Sequence, residues 1–359
     1  MPTSKMLREI GQQPEVLERT IASELATAEK IRKRFAKRKP RLIVLVARGT
    51  SDNAAQFGRY LLEITTGIPV SLAAPSVYTL YKSGMDLKDI LLVAISQSGE
   101  STDINVVVKQ AAAQGAFTLG VTNQQTSELA RLVDTVLMVR AGTEESVAAT
   151  KTYTGQLLTL YLLAYALGGS IRVDDLRRLP RCASAALQLQ PEIAAQAVRY
   201  RFMERAVVVA RGLNYANAFE FALKLMETCY VVAERFSSAD FLHGPIAMLE
   251  ASFPVFMFAP PGVTWKGLAG LTSQLEEIGA ETLIITDQSH RAAVKRAASG
   301  KLNHSFVIPL EIESRDRPAD LYTPIPYIIP AQLLAVSLAE VKGLDPDCPR
   351  ALSKITRTL

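Results

Sequence analysis

The chain repeats itself, and that constrains its fold more than any other feature. Val46-Ala47-Arg48-Gly49 recurs as Val209-Ala210-Arg211-Gly212. At the same spacing, Ile95-Ser96-Gln97-Ser98-Gly99 falls opposite Phe258-Ala259-Pro260-Pro261-Gly262. One residue out of step, Gly115-Ala116-Phe117-Thr118-Leu119 falls opposite Gly279-Ala280-Glu281-Thr282-Leu283. Three matched strand-and-turn signals in one order imply a duplicated domain. A length of 359 residues suits two domains, since domains run about 100–200 residues each. The copies differ where chemistry would sit. The first carries hydroxyls in its turns; the second carries Glu220, Lys224 and Glu227 on a predicted helix.

Within each copy apolar runs alternate with helical patterns. Leu42 to Val46 is continuously apolar, which fits a strand covered on both faces of a parallel sheet. Further strands are expected at Val70–Leu72, Ile90–Ile95, Thr118–Thr122 and Thr135–Met138. Helices are expected over 53–65, 75–83, 101–113, 127–132 and 149–167. The second copy reads as strands at 206–210, 255–258, 282–285 and 305–308, with helices over 217–232, 264–278 and 330–341. Strands and helices alternating in this way define an α/β fold: two doubly wound parallel sheets flanked by helices. The expected divisions are an N-terminal helix (1–38), a first domain (39–175), a second domain (183–342) and a tail (343–359). The polar stretch from Ile171 to Pro180 is read as a linker, followed by one helix from Ala183 to Phe202.

Composition narrows the classes of function. Hydrophobic residues at 48% and charged residues at 21% describe an ordinary globular chain. The net charge of +5 is small, apart from a basic run from Lys30 to Arg41, which reads as a solvated helix end and not a nucleic-acid surface. Cys182, Cys229 and Cys348 are odd in number and far apart. That argues against a disulfide framework and for a reducing compartment. They show no metal-ligand spacing with His243, His290 and His304. The first residues carry charge and no apolar signal core, and the longest apolar run, taken as Leu157 to Leu167, falls short of the ~20 residues a bilayer span needs. A cytoplasmic protein with no membrane partner is expected.

Four motifs carry chemistry. Ser96-Gln97-Ser98-Gly99-Glu100-Ser101-Thr102 lies between a strand and a helix. Hydroxyls and backbone N–H groups at such a helix start form an anion site without the lysine of a P-loop. Thr50 and Ser51 open a second hydroxyl turn at the same sheet edge, where ligands of open α/β sheets bind. Glu220, Lys224 and Glu227 share one face of an otherwise apolar helix. Such a stripe is either a surface ion pair or a partly enclosed acid–base group able to move a proton beside a carbonyl. His243 precedes Gly244-Pro245 in a turn, where an imidazole is available for acid–base work. Lys354, in the tail, reads on its own as a solvated lysine.

Taken together, Gly49-Thr50-Ser51, Ser96 to Glu100, Val147-Ala148-Ala149-Thr150-Lys151, the helix from Glu220 to Glu227, His243-Gly244-Pro245 and Pro349 to Lys354 resemble the sugar isomerase (SIS) domain family in its tandem form. The likeness is to the isomerase half of glucosamine-6-phosphate synthase and to SIS-type glucosamine-6-phosphate deaminases, and it spans nearly the whole chain. It implies that Thr50, Ser51, Ser96, Gln97, Ser98 and Ser101 hold a sugar phosphate, with Val147 and Ala149 beside the substrate. It implies that Glu227 moves a proton between C1 and C2, supported by Lys224 and Glu220, and that Lys354 meets the open-chain sugar. His243 would open the ring in the neighbouring subunit's site, which implies a homodimer.

This sequence departs from the synthase pattern at Ser101 (usually Thr), Ala149 (usually Ser) and Leu242 (usually Lys). It also reaches the isomerase region at once, with no glutaminase segment before it. The resemblance therefore implies a deaminase that converts glucosamine 6-phosphate to fructose 6-phosphate and ammonia. No cofactor is implied, because the amino sugar supplies its own imine chemistry. A fructosamine-6-phosphate deglycase, a glutaminase-less transferase or isomerase of the same family, and a non-catalytic phosphosugar sensor remain as alternatives.

Overall fold

The computed structural model describes residues 4–312 and 318–354. The N-terminal periodic stretch is two helices, α1 (Lys5–Gly11) and α2 (Gln13–Phe35), with Pro14 in the first turn of α2. The described chain forms two compact units that share it unevenly. One takes 12–144, 149–177 and 352–354; the other takes 4–11, 145–148 and the stretch from 178 to 351. These units cut the chain differently from the expected boundaries, since α1 leaves the first sheet's unit and the end of the tail joins it.

In the first unit, β1 (Leu42–Val46), β2 (Val70–Leu72), β3 (Ile90–Ile95), β4 (Phe117–Thr122) and β5 (Thr135–Met138) pair in parallel, in the order β2-β1-β3-β4-β5. Its other helices are α3 (Thr50–Thr66), α4 (Pro75–Thr79), α5 (Thr102–Ala113), α6 (Glu128–Leu132), α7 (Lys151–Ala166) and α8 (Val173–Leu176). β3 is buried along its whole length, as its unbroken apolar sequence requires. α2 packs on α7 and β5 and buries Val16, Leu17, Ile21, Ala28 and Ile31. Glu24 is buried as well, with Arg140 donating to its carboxylate at 2.7 Å. A polar side chain can be buried there only with such a partner.

In the second unit, β6 (Arg205–Ala210), β7 (Val232–Ser237), β8 (Pro254–Phe258), β9 (Glu281–Asp287) and β10 (Asn303–Ile308) pair in parallel in the order β7-β6-β8-β9-β10. This is the same order, strand for strand, as the first sheet. The duplication read in the sequence is thus a duplicated topology. The helices are α9 (Leu179–Leu187), α10 (Gln190–Ala197), α11 (Tyr215–Cys229), α12 (Ser238–Leu242), α13 (Trp265–Ile278), α14 (Arg291–Ala297) and α15 (Pro324–Val341).

Several elements differ from expectation. The stretch read as a linker contains α8 and the start of α9, and the single helix expected to follow is α9 and α10, with Pro191 in the first turn of α10. α11 ends at Cys229, and β7 begins where the helix was expected to continue. α15 begins at Pro324, so Pro330 lies inside it. It is also a longer apolar segment than the one singled out in the sequence. α15 is long and apolar enough to cross a membrane, with mean hydropathy 1.4, but 89% of it is buried in its own unit against α9, α10 and α11. It is a core helix.

Candidate active site

In doubly wound sheets of this strand order the ligand crevice opens at the carboxyl ends of the two strands between which the connections reverse direction. In the first unit these are β1 and β3. Val46 pairs with Ala94, so the turns that follow open side by side. After β1 the chain turns at Gly49 (φ 57°), and Thr50 and Ser51 form the first residues of α3. The sequence reading placed both in a turn before the helix. Ser51 is buried, and its Oγ accepts a hydrogen bond of 2.9 Å from Gln156 Nε2 on α7. Asp52, one residue on, is raised in pKa by burial and pulled back by Arg48. Arg48 is itself held by Asp103 at 2.7 Å.

After β3 the hydroxyl turn is locked by its own hydrogen bonds. Ser96 Oγ accepts from the N–H of Gly99 at 3.1 Å and lies 3.2 Å from Ser101 Oγ. Ser98 Oγ accepts from the N–H of Glu100, and the Gln97 carbonyl accepts from Thr122 Oγ1 and the N–H of Asn123. Gly99 is required here: its φ is 66°, and a Cβ would stand 2.2 Å from Ser127 Oγ. Ser101 is the N-cap residue of α5, so the turn delivers hydroxyls to the positive end of a twelve-residue helix. Gln97 and Ser98 remain half-buried, reachable by a ligand.

In the second unit α11 carries the charged stripe. Glu220 and Lys224 are fully buried, whereas the Glu227 side chain is 23% exposed. Lys224 Nζ lies 2.5 Å from Glu227 Oε2 and 3.5 Å from Glu220 Oε1. An ammonium enclosed between two carboxylates, one of which reaches solvent, is not a surface ion pair. The buried charges are compensated by one another, and of the three only Glu227 reaches solvent. His243 ends α12, and its side chain is exposed. Gly244 follows at φ 138°, a conformation that favours glycine. Val147 is half-buried in this unit, its N–H on the Asp347 carbonyl.

Lys354 belongs to the first unit, as does Ala149, half-buried just before α7. The Lys354 ammonium lies 3.2 Å from Oε2 of Glu144. Glu144 was not singled out in the sequence, and it is the most heavily bonded carboxylate here. It is buried, and it accepts from the N–H groups of Thr150 and Thr152 and from Thr152 Oγ1 at 2.6 Å. It therefore caps α7 and fixes Lys354 at once. Only its place a few residues before a long apolar helix hinted at this. Among the described residues no group of three or more His, Cys, Asp or Glu is placed to hold a metal ion.

Two parallel sheets of one topology, with a hydroxyl turn at a helix start in one unit and a Glu-Lys-Glu stripe in the other, place the chain among the doubly wound α/β proteins. The SIS domain model matches residues 37–166 and 201–340, and the chain belongs to the SIS domain family. The glutamine–fructose-6-phosphate aminotransferase of Pyrococcus horikoshii is 34% identical over 356 residues, covering 97% of this chain and 57% of that protein. The chain thus spans little more than half the length of that relative. Among solved structures, the C-terminal domain of glucosamine-fructose-6-phosphate aminotransferase from Francisella tularensis is 28% identical, with a TM-score of 0.85, covering 96% of this chain and 98% of that one. Glucosamine-6-phosphate deaminase from Thermotoga maritima shares the fold, with a TM-score of 0.74 at 21% identity over 99% of this chain and 100% of that one.

Proposed function

We propose that the chain is an aldose–ketose isomerase that deaminates glucosamine 6-phosphate to fructose 6-phosphate and ammonia. The observation that carries this reading is the α11 stripe: a carboxylate at the surface, an ammonium behind it and a second carboxylate buried behind both. In this reading Thr50, Ser51, Ser96, Gln97, Ser98 and Ser101 hold the phosphate. Hydroxyl donors and a helix start bind a dianion without a fixed cation. His243 opens the sugar ring by moving a proton between the ring oxygen and O1. Glu227 then takes the C2 proton of the open-chain aldehyde while O1 is protonated, which leaves an enolamine. Return of the proton to C1 converts the enolamine to the C2 iminium, and water replaces the nitrogen, releasing ammonia and leaving the ketone. Lys224 and Glu220 keep Glu227 oriented through both transfers. Lys354, anchored by Glu144, contacts the open-chain sugar near C1 and C2, with Val147 and Ala149 beside it.

We further read the protein as a homodimer in which His243 serves the partner's site. The support is local: His243 is exposed, and the apolar side chains Leu242 and Met248 nearby are 40% and 44% exposed. A second reading has the same chemistry run toward amination or act on a fructosamine phosphate. The aminotransferase relatives and the Ala149 and Leu242 departures favour keeping it.

The test is ammonia release from glucosamine 6-phosphate by wild type and Glu227→Gln. Loss of a general base costs roughly 10²–10⁴-fold. Equal rates in the two proteins, or no release by folded wild type, would sink the deaminase reading. Turnover of fructosamine 6-phosphate in its place would establish the second.

A further inference from the structure

The basic run from Lys30 to Arg41 has no part in the site above. Eight of these twelve residues are Lys or Arg and none is acidic. The run alone exceeds the +5 of the whole chain, so the positive excess of the protein is gathered here. All eight are exposed. A helix end explains only part of this. Cations favour the last turn of a helix, which accounts for Arg32, Lys33 and Arg34 in α2. Four more basic residues follow after the helix has ended at Phe35. Arg32 pairs with Glu29 and Arg38 with Asp89, but like charges packed this densely repel one another.

The structure places a cavity of about 330 Å³ at this point. Arg34, Arg38 and Lys39 line it together with the rings of Phe35 and Phe117. Its one carboxylate, Asp89, is already paired with Arg38 at 2.5 Å. The Arg34 guanidinium lies 5.1 Å from the centre of the Phe117 ring, and Phe35 meets that ring edge-on. The result is a small pocket with a flat aromatic wall and a cationic rim. Its depth comes from the starts of the strands: Ile90 begins β3 and Phe117 begins β4. The hydroxyl turn lies at the other end of β3, about 20 Å along the strand. This pocket is therefore separate from the phosphate turn of the same unit.

We propose that the amino-terminal edge of the first sheet binds a condensed phosphate chain, either the triphosphate of a nucleotide or inorganic polyphosphate. The volume is at the small end for ligand pockets, too small for a whole nucleotide but sufficient for its phosphates. The basic residues beyond it meet the remaining charge. Guanidinium groups are suited to bidentate contact with phosphate oxygens.

Isothermal titration calorimetry on the whole chain tests this with tripolyphosphate, ATP and a single-stranded oligonucleotide, at low and at physiological salt. Wild type should bind tripolyphosphate and ATP. The double variant Arg34→Glu/Lys39→Glu should bind both at least about tenfold more weakly, since removing one hydrogen bond to a charged group has an effect of that order. Both substitutions are on the surface, and an unchanged melting temperature verifies the fold. Ser98→Ala should leave this binding unaltered. ATP binding tighter than tripolyphosphate assigns the nucleotide as the source; equal affinity assigns the phosphate chain alone. The proposal is overturned by no binding to either, by undiminished binding in the double variant, by loss of binding in Ser98→Ala, or by tighter binding of the oligonucleotide than of either polyphosphate.

Discussion

The two switch-point turns were built alike and now differ in the side chains they carry. Gly49 and Gly212 occupy equivalent turns with nearly the same φ, 57° and 62°. A Cβ at Gly49 would meet nothing within 4 Å, whereas at Gly212 it would stand 3.0 Å from the methyl of Thr264. At Gly262, the counterpart of Gly99, it would lie 3.3 Å from Ala319 Cβ and 3.6 Å from the Asp320 N atom. A Cβ at Gly99 would stand closer still, 2.2 Å from Ser127 Oγ, so the turns after β3 and β8 are both packed; the second copy differs in the crowding at Gly212 and in Pro260 and Pro261, which carry no hydroxyls. Asp320 is buried there with Oδ1 unpartnered, and burial raises its pKa from 3.8 to about 6. Duplication conserved the sheet, and the turns diverged. The first copy keeps hydroxyls in its turns; the second has Leu213, Asn214, Pro260 and Pro261 there and carries the Glu-Lys-Glu stripe on α11.

This contrast can be broken in order of expected effect. Lys224→Met removes the cation between two carboxylates and leaves Glu220 buried without it. A loss of about 3–5 kcal/mol is expected in denaturant titration, whereas Glu220→Gln/Lys224→Met should recover much of it. Unchanged stability in the single variant would mean that the stripe is solvated.

Asp320→Asn probes the buried carboxyl beside the second copy's turns. A carboxyl whose folded pKa is raised contributes its full stability below its unfolded value near 3.8. It loses that stability as pH rises through about 6. At pH 8 the variant should therefore be more stable than wild type by up to about 3 kcal/mol. Below pH 4 the difference should vanish. Urea midpoints at the two pH values decide, and a constant difference would show that Asp320 does not ionise in place.

Gly99→Ala should destabilise by about 1–3 kcal/mol, from positive φ and from the clash with Ser127. Gly49→Ala, where space is open, should cost only the backbone part, about 1 kcal/mol. Equal losses would remove the distinction between a packed and an open turn. Ser98→Ala should raise KM for the sugar phosphate about tenfold with kcat little changed, as for a missing hydrogen bond to a charged group. Replacing Ala259, Pro260 and Pro261 with Ser, Gln and Ser should create no second site, because Thr264 crowds the neighbouring turn at Gly212 and Ala319 lies against Gly262. Equilibrium binding stoichiometry checks it.

Much of this is legible in the residues alone. Strands β1, β2, β3 and β5 lie where apolar runs are bounded by turn residues. The hydroxyl turn and the α11 stripe follow from residue type and helical spacing. β7 was not legible. Val232-Ala233-Glu234-Arg235-Phe236-Ser237 is an edge strand with one face exposed, so its charges read as a helix or loop. The break before it was hidden as well. The first copy ends the equivalent helix with Gly67, whereas α11 ends with Tyr230 at φ 54°. Tyrosine gives no stop signal. It is held there by Arg350, whose guanidinium lies 3.9 Å from the ring centre and whose N–H donates to the Tyr230 oxygen at 2.8 Å.

What the sequence determined by itself is local and periodic: where strands end, which turns need glycine, which residues share a helix face, and that the whole pattern occurs twice. These follow from backbone sterics and side-chain spacing, which act between near neighbours. The tertiary structure decided which like-looking groups differ. It enclosed Glu220 and Lys224 while leaving Glu227 at the surface, and it set Ala319 and Asp320, far along the chain, beside one of two equivalent turns. It also joined Lys354 to Glu144, a carboxylate with no motif of its own. Burial and long-range pairing set these outcomes, and neither is a property of a residue or of its neighbours in sequence.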